Sequence, residues 1–548
     1  MLEILNIERT QAKKGFNRWL IPIASISIHL CIGSIYSWSI FNEPLTKILG
    51  TVGSSSQDWS LSGIVWVFSV AIVFVGVMSL SSSKWIEKAG PRKVAVYSAI
   101  LWSLGFFVSY IGIKYHQLWI LYLGYGFIGG CGIGLAYVSP VATLLRWFPD
   151  KRGLATGMAI MGFGGGAMIG GLMKRFFLDF YYKAPETLGS IVNVPLNAID
   201  GVRYAEFSGK MTEVIVHNGQ VFVVGTGDIG IAGTFLTLGI IYLVVMIGAG
   251  FIFRLPPTDT MPKGLKVVDS NNFVSKGSVL VEQAVKTPQF YLIWLVLCLN
   301  TSAGIGVLSI AKTMIAEIFG SSLPNIVDGA FASMYVVMIS VFNMIGRLFW
   351  SSLSDYIGRK TTVSIFFVLG FLLYITIPYT ASSVMVNPSI MYLVMFYVAT
   401  MIIFTMYGGG FSTIPAYIAD VFGQKNMGAI YARCLTAWSV AGIVGPFVIT
   451  KLRENSFKDA IYSLLEKISN DKFIEKFGVG KDKLQSLIDN NVITIDKLME
   501  IAPVGTANPT ATLYNTTMYV MAGLLVIGLI FNLLVVEVNS KHYEKINN

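Results

Sequence analysis

The chain has 548 residues, of which 54% are hydrophobic and only 13% charged. A water-soluble globule of this length needs more polar residues to cover its surface, so the apolar excess must face lipid. The formal charge of +10 then reads as loop charge beside a membrane and argues against a nucleic-acid partner.

The first segment, MLEILNIERTQAKKGFNRW, is polar and amphipathic, with no cleavable signal pattern, so the first span is expected to insert directly. Apolar runs long enough for a hydrocarbon core of roughly 30 Å follow in order. They lie at 18–41, 59–82, 94–113, 117–145, 153–176, 230–253, 290–311, 330–352, 361–381, 389–418, 428–450 and 514–536. Open strands are not viable in lipid, so the runs are predicted to be helices. The fold class expected is an all-α membrane protein of twelve transmembrane helices in two pseudo-symmetric six-helix bundles. Residues 1–176 with 230–253 form the first bundle, and 289–450 with 514–548 the second. Residues 254–288, polar and Pro-containing, read as a cytoplasmic linker.

Two longer segments break the pattern at equivalent places in the halves, and both are expected to be extracytoplasmic inserts. The first, 177–229, reads as short strands and turns (EVIVHNGQVFVVGTGD). The second, 451–513, reads as amphipathic helices (FKDAIYSLLEKISNDKFIEKF). Each either shields the outer mouth or captures a partner or substrate. Cys31, Cys131, Cys298 and Cys434 all sit in apolar runs without metal or disulfide spacing. No cofactor or metal is expected.

Lys84, Lys88, Arg92, Lys93, Arg146, Lys151, Arg152, Arg254, Lys263, Lys266, Lys276 and Lys286 fall on one side of this topology. The opposite short loops carry little beyond Lys47, Lys114 and Lys312. The positive-inside rule therefore puts both termini in the cytoplasm of a plasma or bacterial inner membrane.

One charged loop occurs twice: SSSKWIEKAGPRK at 81–93 and WSSLSDYIGRK at 350–360. Each places an acid three residues before a glycine (Glu87 and Gly90, Asp355 and Gly358) and ends in paired cations. RWFPDKRGLATG at 146–157 and DVFGQKNMGAIY at 420–431 form a second matched pair, and glycine-rich GFIGGCGIGLAY (126–137) and MGFGGGAM (161–168) allow close helix approach.

The repeated loop resembles the signature of the major facilitator superfamily between helices two and three and again between eight and nine. Serine (Ser83, Ser351) stands where that pattern begins with glycine, and the first copy carries Glu87 and an extra Pro91. The resemblance implies a gating role for Glu87, Lys88, Gly90, Arg92, Asp355, Gly358 and Arg359, with topology-setting charge as the alternative. NRWLIPIASISIHLCIGSIYSWSIF, WFPDKRGLATGMAIMGFGGGA and GRLFWSSLSDYIGRK further resemble the oxalate:formate antiporter family of carboxylate transporters, over all twelve spans.

Within the spans the deep ionisable groups are read as His29 and Arg347. Arg347 lies eight residues before Asp355, roughly 12 Å above that loop at 1.5 Å per residue, and Ser79 stands in its place in the first copy. With no acid in the spans as a partner, an anionic substrate is the natural counter-ion, and guanidinium offers a bidentate fork for carboxylate. Hydrogen bonding to backbone carbonyls is the other reading. Oxalate-handling members of the family place a lysine in span eleven. Here, in ARCLTAWSVAGIVGP, Trp438 takes that place, and Arg433, five residues earlier, points elsewhere on the helix. One deep cation matches a monocarboxylate better than a dicarboxylate, whose second charge would be unpaired.

At positions equivalent in the family, His29 and Tyr36, Tyr137, Phe163, Tyr407 and Phe411 would box the anion, with Asn300 as a further polar pore residue. His29 is either a core histidine or a carrier of a coupled proton. The reading is a transporter, monomeric, not an enzyme, moving a lactate, pyruvate or formate-class acid by alternating access. It would be driven by protons or by a counter-anion. The alternatives are an oxalate:formate-type dicarboxylate antiporter or a non-transporting carboxylate sensor. Four histidines with one of them deep, and no GxxxxGK[ST] string, argue against an enzyme or an ATP-driven pump.

Overall fold

The computed structural model describes residues 5–13, 15–148, 152–199, 202–257, 277–477, 480–483 and 493–544. The side chains of Ser62, Lys84, Glu87, Arg152, Ala198, Ile199 and Lys483 are excepted. The expected linker over 254–288 thus lies largely outside the described residues, as does the Glu87 side chain.

Among the described residues, twelve helices are long and apolar enough to cross a membrane. Their starts follow local chemistry. Proline opens span three (Pro91–Lys114) and span seven (Pro288–Phe319), where its missing N–H removes nothing from the helix. The Asp328 carboxylate caps span eight (Gly329–Ile357) by accepting from Phe331 N at 2.7 Å. Spans two and eight end alike, at Gly90 (φ +78°, ψ 161°) and Gly358 (φ +86°, ψ 149°). These are left-handed conformations that favour glycine, so the repeated loop is a repeat of backbone shape as well as of letters.

Several membrane helices depart from regular geometry, among them spans one, seven and four. Span one is α-helical over Leu20–Gly33, tightens to a 3₁₀ segment at Ser34–Ser37, and resumes as Ser39–Leu45. Span seven carries a non-helical residue, Ile310 (φ −129°, ψ 15°). Span four (Leu118–Trp147) contains a π-helical stretch at Tyr122–Gly129. Breaks in spans one and seven, the first helices of their halves, suit the discontinuous helices that line transport paths.

The halves meet along spans five and eight and along spans two and eleven. Span five (Gly153–Tyr181) presents glycines to its neighbours so that backbones touch. A Cβ added at Gly162 would lie 2.4 Å from the Ile26 carbonyl oxygen, at Gly166 2.2 Å from the Gly33 carbonyl carbon, and at Gly170 2.6 Å from Ser34 Cβ. Gly166→Ala is accordingly expected to destabilise the protein by about 1–3 kcal/mol through overpacking. Thermal unfolding of the detergent-solubilised protein checks this, with Gly248→Ala, whose Cβ meets open space, as the neutral control.

Between residues 187 and 223 five strands form an antiparallel sheet in the order β1-β5-β4-β3-β2. The strands are β1 Thr187–Ser190, β2 Asn197–Ile199, β3 Val202–Phe207, β4 Lys210–His217 and β5 Gln220–Val223. Ser208-Gly209 and Asn218-Gly219 all have positive φ, giving the two-residue turns that match strand twist. Ala205, Val214 and Val221 fill its small core. The sheet is tied to the loop after span one: Gly225 N donates to the Leu49 carbonyl at 2.9 Å, and Ser56 donates to the Glu213 carboxylate. The second insert is helical. Span eleven continues to Lys467, and short helices follow at Asn470–Phe477 and Ile495–Met499. Arg453, Glu317 and Tyr514 bond to one another and tie it to spans seven and twelve.

Candidate functional site

Polar side chains link the two halves at three levels. At the end bearing the repeated loops, Asp355 accepts from the backbone N–H of Gly153 (3.1 Å) and Leu154 (3.2 Å), at the start of span five. A carboxylate there meets free N–H groups and the positive end of the helix dipole. Arg359 bonds to Asp355 and lies 3.4 Å from Asp420, which ties the loop to the end of span ten (Ile390–Phe422). In the first copy Arg92 is buried, 5.7 Å from the Phe251 ring centre, Lys88 is exposed, and Gly90 packs under Ile7.

Midway, the Ser340 hydroxyl donates to the Gly164 carbonyl (2.6 Å) and accepts from Met168 N (2.9 Å). It therefore inserts into the i→i−4 ladder of span five. Ser69 and Ser439 make comparable bonds between spans two and eleven. Toward the insert end, the Tyr36 and Tyr407 hydroxyls meet at 2.9 Å, and Glu43 lies 3.5 Å from Lys312. Lys47 and Lys312 hold the Glu43 carboxyl below its ordinary pKa, Lys47 chiefly through its hydrogen bond.

Arg347 lies between these levels, fully buried. Its Nε donates to Asn343 Oδ1 at 2.9 Å, and its Nη1 donates to the Ile160 carbonyl at 3.2 Å and the Tyr137 hydroxyl at 3.3 Å. The rings of Phe163 and Phe411 flank the guanidinium, each centre 5.3 Å from Cζ, and each contact stabilises it by about 0.5–2 kcal/mol. The carbonyl-bonding alternative for this arginine therefore accounts for one nitrogen only in part, and Nη2 carries no hydrogen bond.

Around it stand the aromatics singled out in the sequence. Trp438 contacts Tyr36, Tyr137, Phe163 and Phe411 at ring separations of 6.3, 5.4, 5.4 and 5.0 Å. Tyr407 contacts Tyr36 and Phe411. All of these side chains are buried, and the Trp438 indole N–H has no partner. His29 sits edge-on to Tyr137, 5.5 Å between ring centres. Its Nδ1 donates to the Ser25 carbonyl (2.9 Å), which leaves Nε2 without a partner. The Asn300 Nδ2, also without a partner, faces Gly410, the residue before Phe411. Arg433 bonds to the Ala429 carbonyl of its own helix.

The arrangement is a closed chamber. Its unpartnered polar atoms include a guanidinium nitrogen, an indole nitrogen, the Asn343 amide nitrogen and an imidazole nitrogen. Polar links between the halves lie on both sides of this aromatic cluster, so the conformation is an occluded one.

Two expectations about charge need correction. The sequence reads as placing two deep ionisable groups, His29 and Arg347, in the spans, but Lys174 in span five is also fully buried. Helices seven, ten and eleven also run further than their apolar runs, so Glu317, Asp420 and Arg453 belong to them. Lys174 lies ten positions after Gly164, which packs against Arg347, and so roughly 15 Å along the helix from that level; among the described residues the chamber keeps a single cation.

The Major Facilitator Superfamily profile matches residues 23–195 and 222–446, well over half of the chain. The chain belongs to the major facilitator superfamily. It is a membrane transporter and not an enzyme. It is 24% identical to the oxalate:formate antiporter of Oxalobacter formigenes, over 80% of this chain and 87% of that one. It is 22% identical to apicoplast pyruvate carrier 1 of Toxoplasma gondii, over 77% and 81%. It is 24% identical to the uncharacterized transporter YhjX of Escherichia coli K12, over 76% and 84%. Among solved structures it resembles a bacterial homologue of the lysosomal transporter Spinster in an inward-facing conformation (TM-score 0.56, 14% identity, 97% of this chain and 98% of that one). It also resembles a bacterial ferroportin homologue in an outward-facing state (TM-score 0.54, 10% identity, 94% and 98%). These two likenesses concern the fold.

Proposed function

We propose that this transporter moves a small monocarboxylate of the lactate, pyruvate or formate class, bound to Arg347 in the occluded chamber. One observation carries the reading: a fully buried guanidinium has an unpartnered nitrogen, the two rings that flank it also contact Trp438, whose indole N–H is unpartnered too, and no carboxylate of the described residues bonds to it. A carboxylate supplies two acceptor oxygens to such donors and the missing negative charge. Tyr36, Tyr137 and Tyr407 hydroxyls then orient it, while Phe163, Phe411 and Trp438 exclude water.

His29 is the group placed to couple protons, since Nε2 is a free acceptor next to Tyr137. Exchange against a second anion balances charge equally well. Substrate neutralisation of Arg347 would ease passage through the closed state, after which Asp355 and its loop release one end and the Tyr36–Tyr407 pair the other. The basic loops, with both termini beside them, are assigned to the cytoplasm and the inserts to the outside, on loop charge.

Counterflow in proteoliposomes with labelled lactate, pyruvate, formate and oxalate at two pH values tests this reading. Saturable monocarboxylate exchange is expected, with oxalate a poor substrate, and oxalate exchange without monocarboxylate uptake would overturn it. Trp438→Lys places a second cation against the chamber and is expected to raise the oxalate-to-lactate ratio by at least about tenfold, about 1.4 kcal/mol of preference.

A further inference from the structure

We propose that Lys174 is a positioning residue: it clamps the broken portion of span one to span five and so sets how firmly the insert end of the path closes. The face of span five that receives span one repeats every four residues through Gly162, Gly166, Gly170 and then Lys174. The glycines bring the backbones into contact, and the lysine ends the groove.

Its ammonium donates to the Ser34 carbonyl at 2.8 Å and lies 4.5 Å from the Phe41 ring centre. Ser34 begins the 3₁₀ segment. In an α-helix the N–H of Trp38 would bond to Ser34, but here it bonds to Ile35 at 3.0 Å. The Ser34 carbonyl instead receives the Ser37 hydroxyl (2.8 Å) and Lys174. One side chain therefore contacts the segment at its break and again a helical turn or two beyond it.

That segment carries the tyrosine and the carboxylate that reach the other half: Tyr36 bonds to Tyr407, and Glu43 pairs with Lys312. Next to it, Tyr36, Trp38 and Ser39 of span one, Val65 and Phe68 of span two and Leu308 and Ser309 of span seven line a narrow gap too tight for a water molecule. Lys174 is fully buried without an ion-pair partner among the described residues. A buried charge of this kind adds little to stability compared with an apolar side chain of the same length. Its hydrogen bond holds a particular backbone geometry, and through it the reach of Tyr36 and Glu43.

The test is chemical labelling. A cysteine introduced by Ser39→Cys lines this gap, and a membrane-impermeant maleimide is applied from the insert side of vesicles. The full chain without Ser39→Cys gives the background from the native cysteines. With Lys174 intact, labelling is expected to be slow. Lys174→Met is expected to speed it at least tenfold, and Lys174→Arg, which keeps a charged donor, to return it to within about twofold. The thermal midpoint of Lys174→Met should be unchanged or raised, which a merely structural lysine bond would not predict alongside faster labelling. If Lys174→Met fails to accumulate, Lys174→Gln, shorter and neutral with a donor retained, is measured in its place and is expected to fall between the two. Labelling of a folded Lys174→Met or Lys174→Gln protein at the wild-type rate would overturn the proposal. No substrate enters the assay, so this outcome is independent of whether the cargo is a monocarboxylate.

Discussion

Arg347→Ala is expected to abolish saturable carboxylate exchange in proteoliposomes while the protein still inserts and purifies. Removing one member of a buried, hydrogen-bonded charge pair costs about 2–5 kcal/mol, so uptake at low substrate should fall roughly 30-fold to several thousand-fold. Arg347→Lys should recover little of it. The wild-type guanidinium uses Nε and Nη1 on Asn343, Ile160 and Tyr137 and keeps Nη2 for another partner. A lysine ammonium offers one nitrogen for all of these tasks and cannot lie flat between Phe163 and Phe411. Substrate-protected thermal stability gives a second measurement: lactate or pyruvate should raise the midpoint of the wild type and not of either variant. Wild-type exchange retained in Arg347→Ala would remove the arginine from the binding site.

The second large effect is expected at the opposite kind of residue, one that touches no substrate. Asp355 joins the halves by accepting from Gly153 and Leu154, and it is held by Arg359. Hydrogen bonds to a charged group contribute about 1.5–3 kcal/mol. Asp355→Ala should therefore shift the open-to-closed balance at that end by roughly 10- to 100-fold. A cysteine at Ala155, buried in span five close to this latch, reports the change as faster labelling from the side of the repeated loops. Exchange turnover should fall while the concentration for half-maximal uptake stays within a few-fold. The reverse pattern, weakened binding with unchanged labelling, would contradict a latch.

Most of the helical frame was legible in the sequence because each span is an apolar run of bilayer length. Helix ends were less so: spans seven, ten and eleven continue as ordinary amphipathic helix past the lipid-facing part, which hydropathy alone does not register. The aromatic cluster around Arg347 was legible through resemblance rather than periodicity, since aromatics in an apolar protein mostly pack. Asn300 was legible only as a polar residue within span seven, and the structure turns its unpartnered Nδ2 toward Gly410. Lys174 was missed because a single cation near the end of a long glycine-rich run reads as a flank. Its spacing of four from Gly170 was the available signal. The partners of Asp355 could not have been read at all, since they are backbone N–H groups some two hundred residues away.

The two inserts are anchored separately, the sheet through Leu49 and Ser56 to the first half and the helical extension through Glu317 and Tyr514 to the second. Each is a lever arm fixed to one moving part. A rotation too small to resolve at the chamber becomes a larger displacement at their tips, where surface side chains accept probes without disturbing the spans. A donor dye on the β3–β4 turn and an acceptor on the helix at Asn470–Phe477 would turn the resting, substrate-bound and open forms of this carrier into distances. They would do so in an intact membrane and without altering a residue of the path.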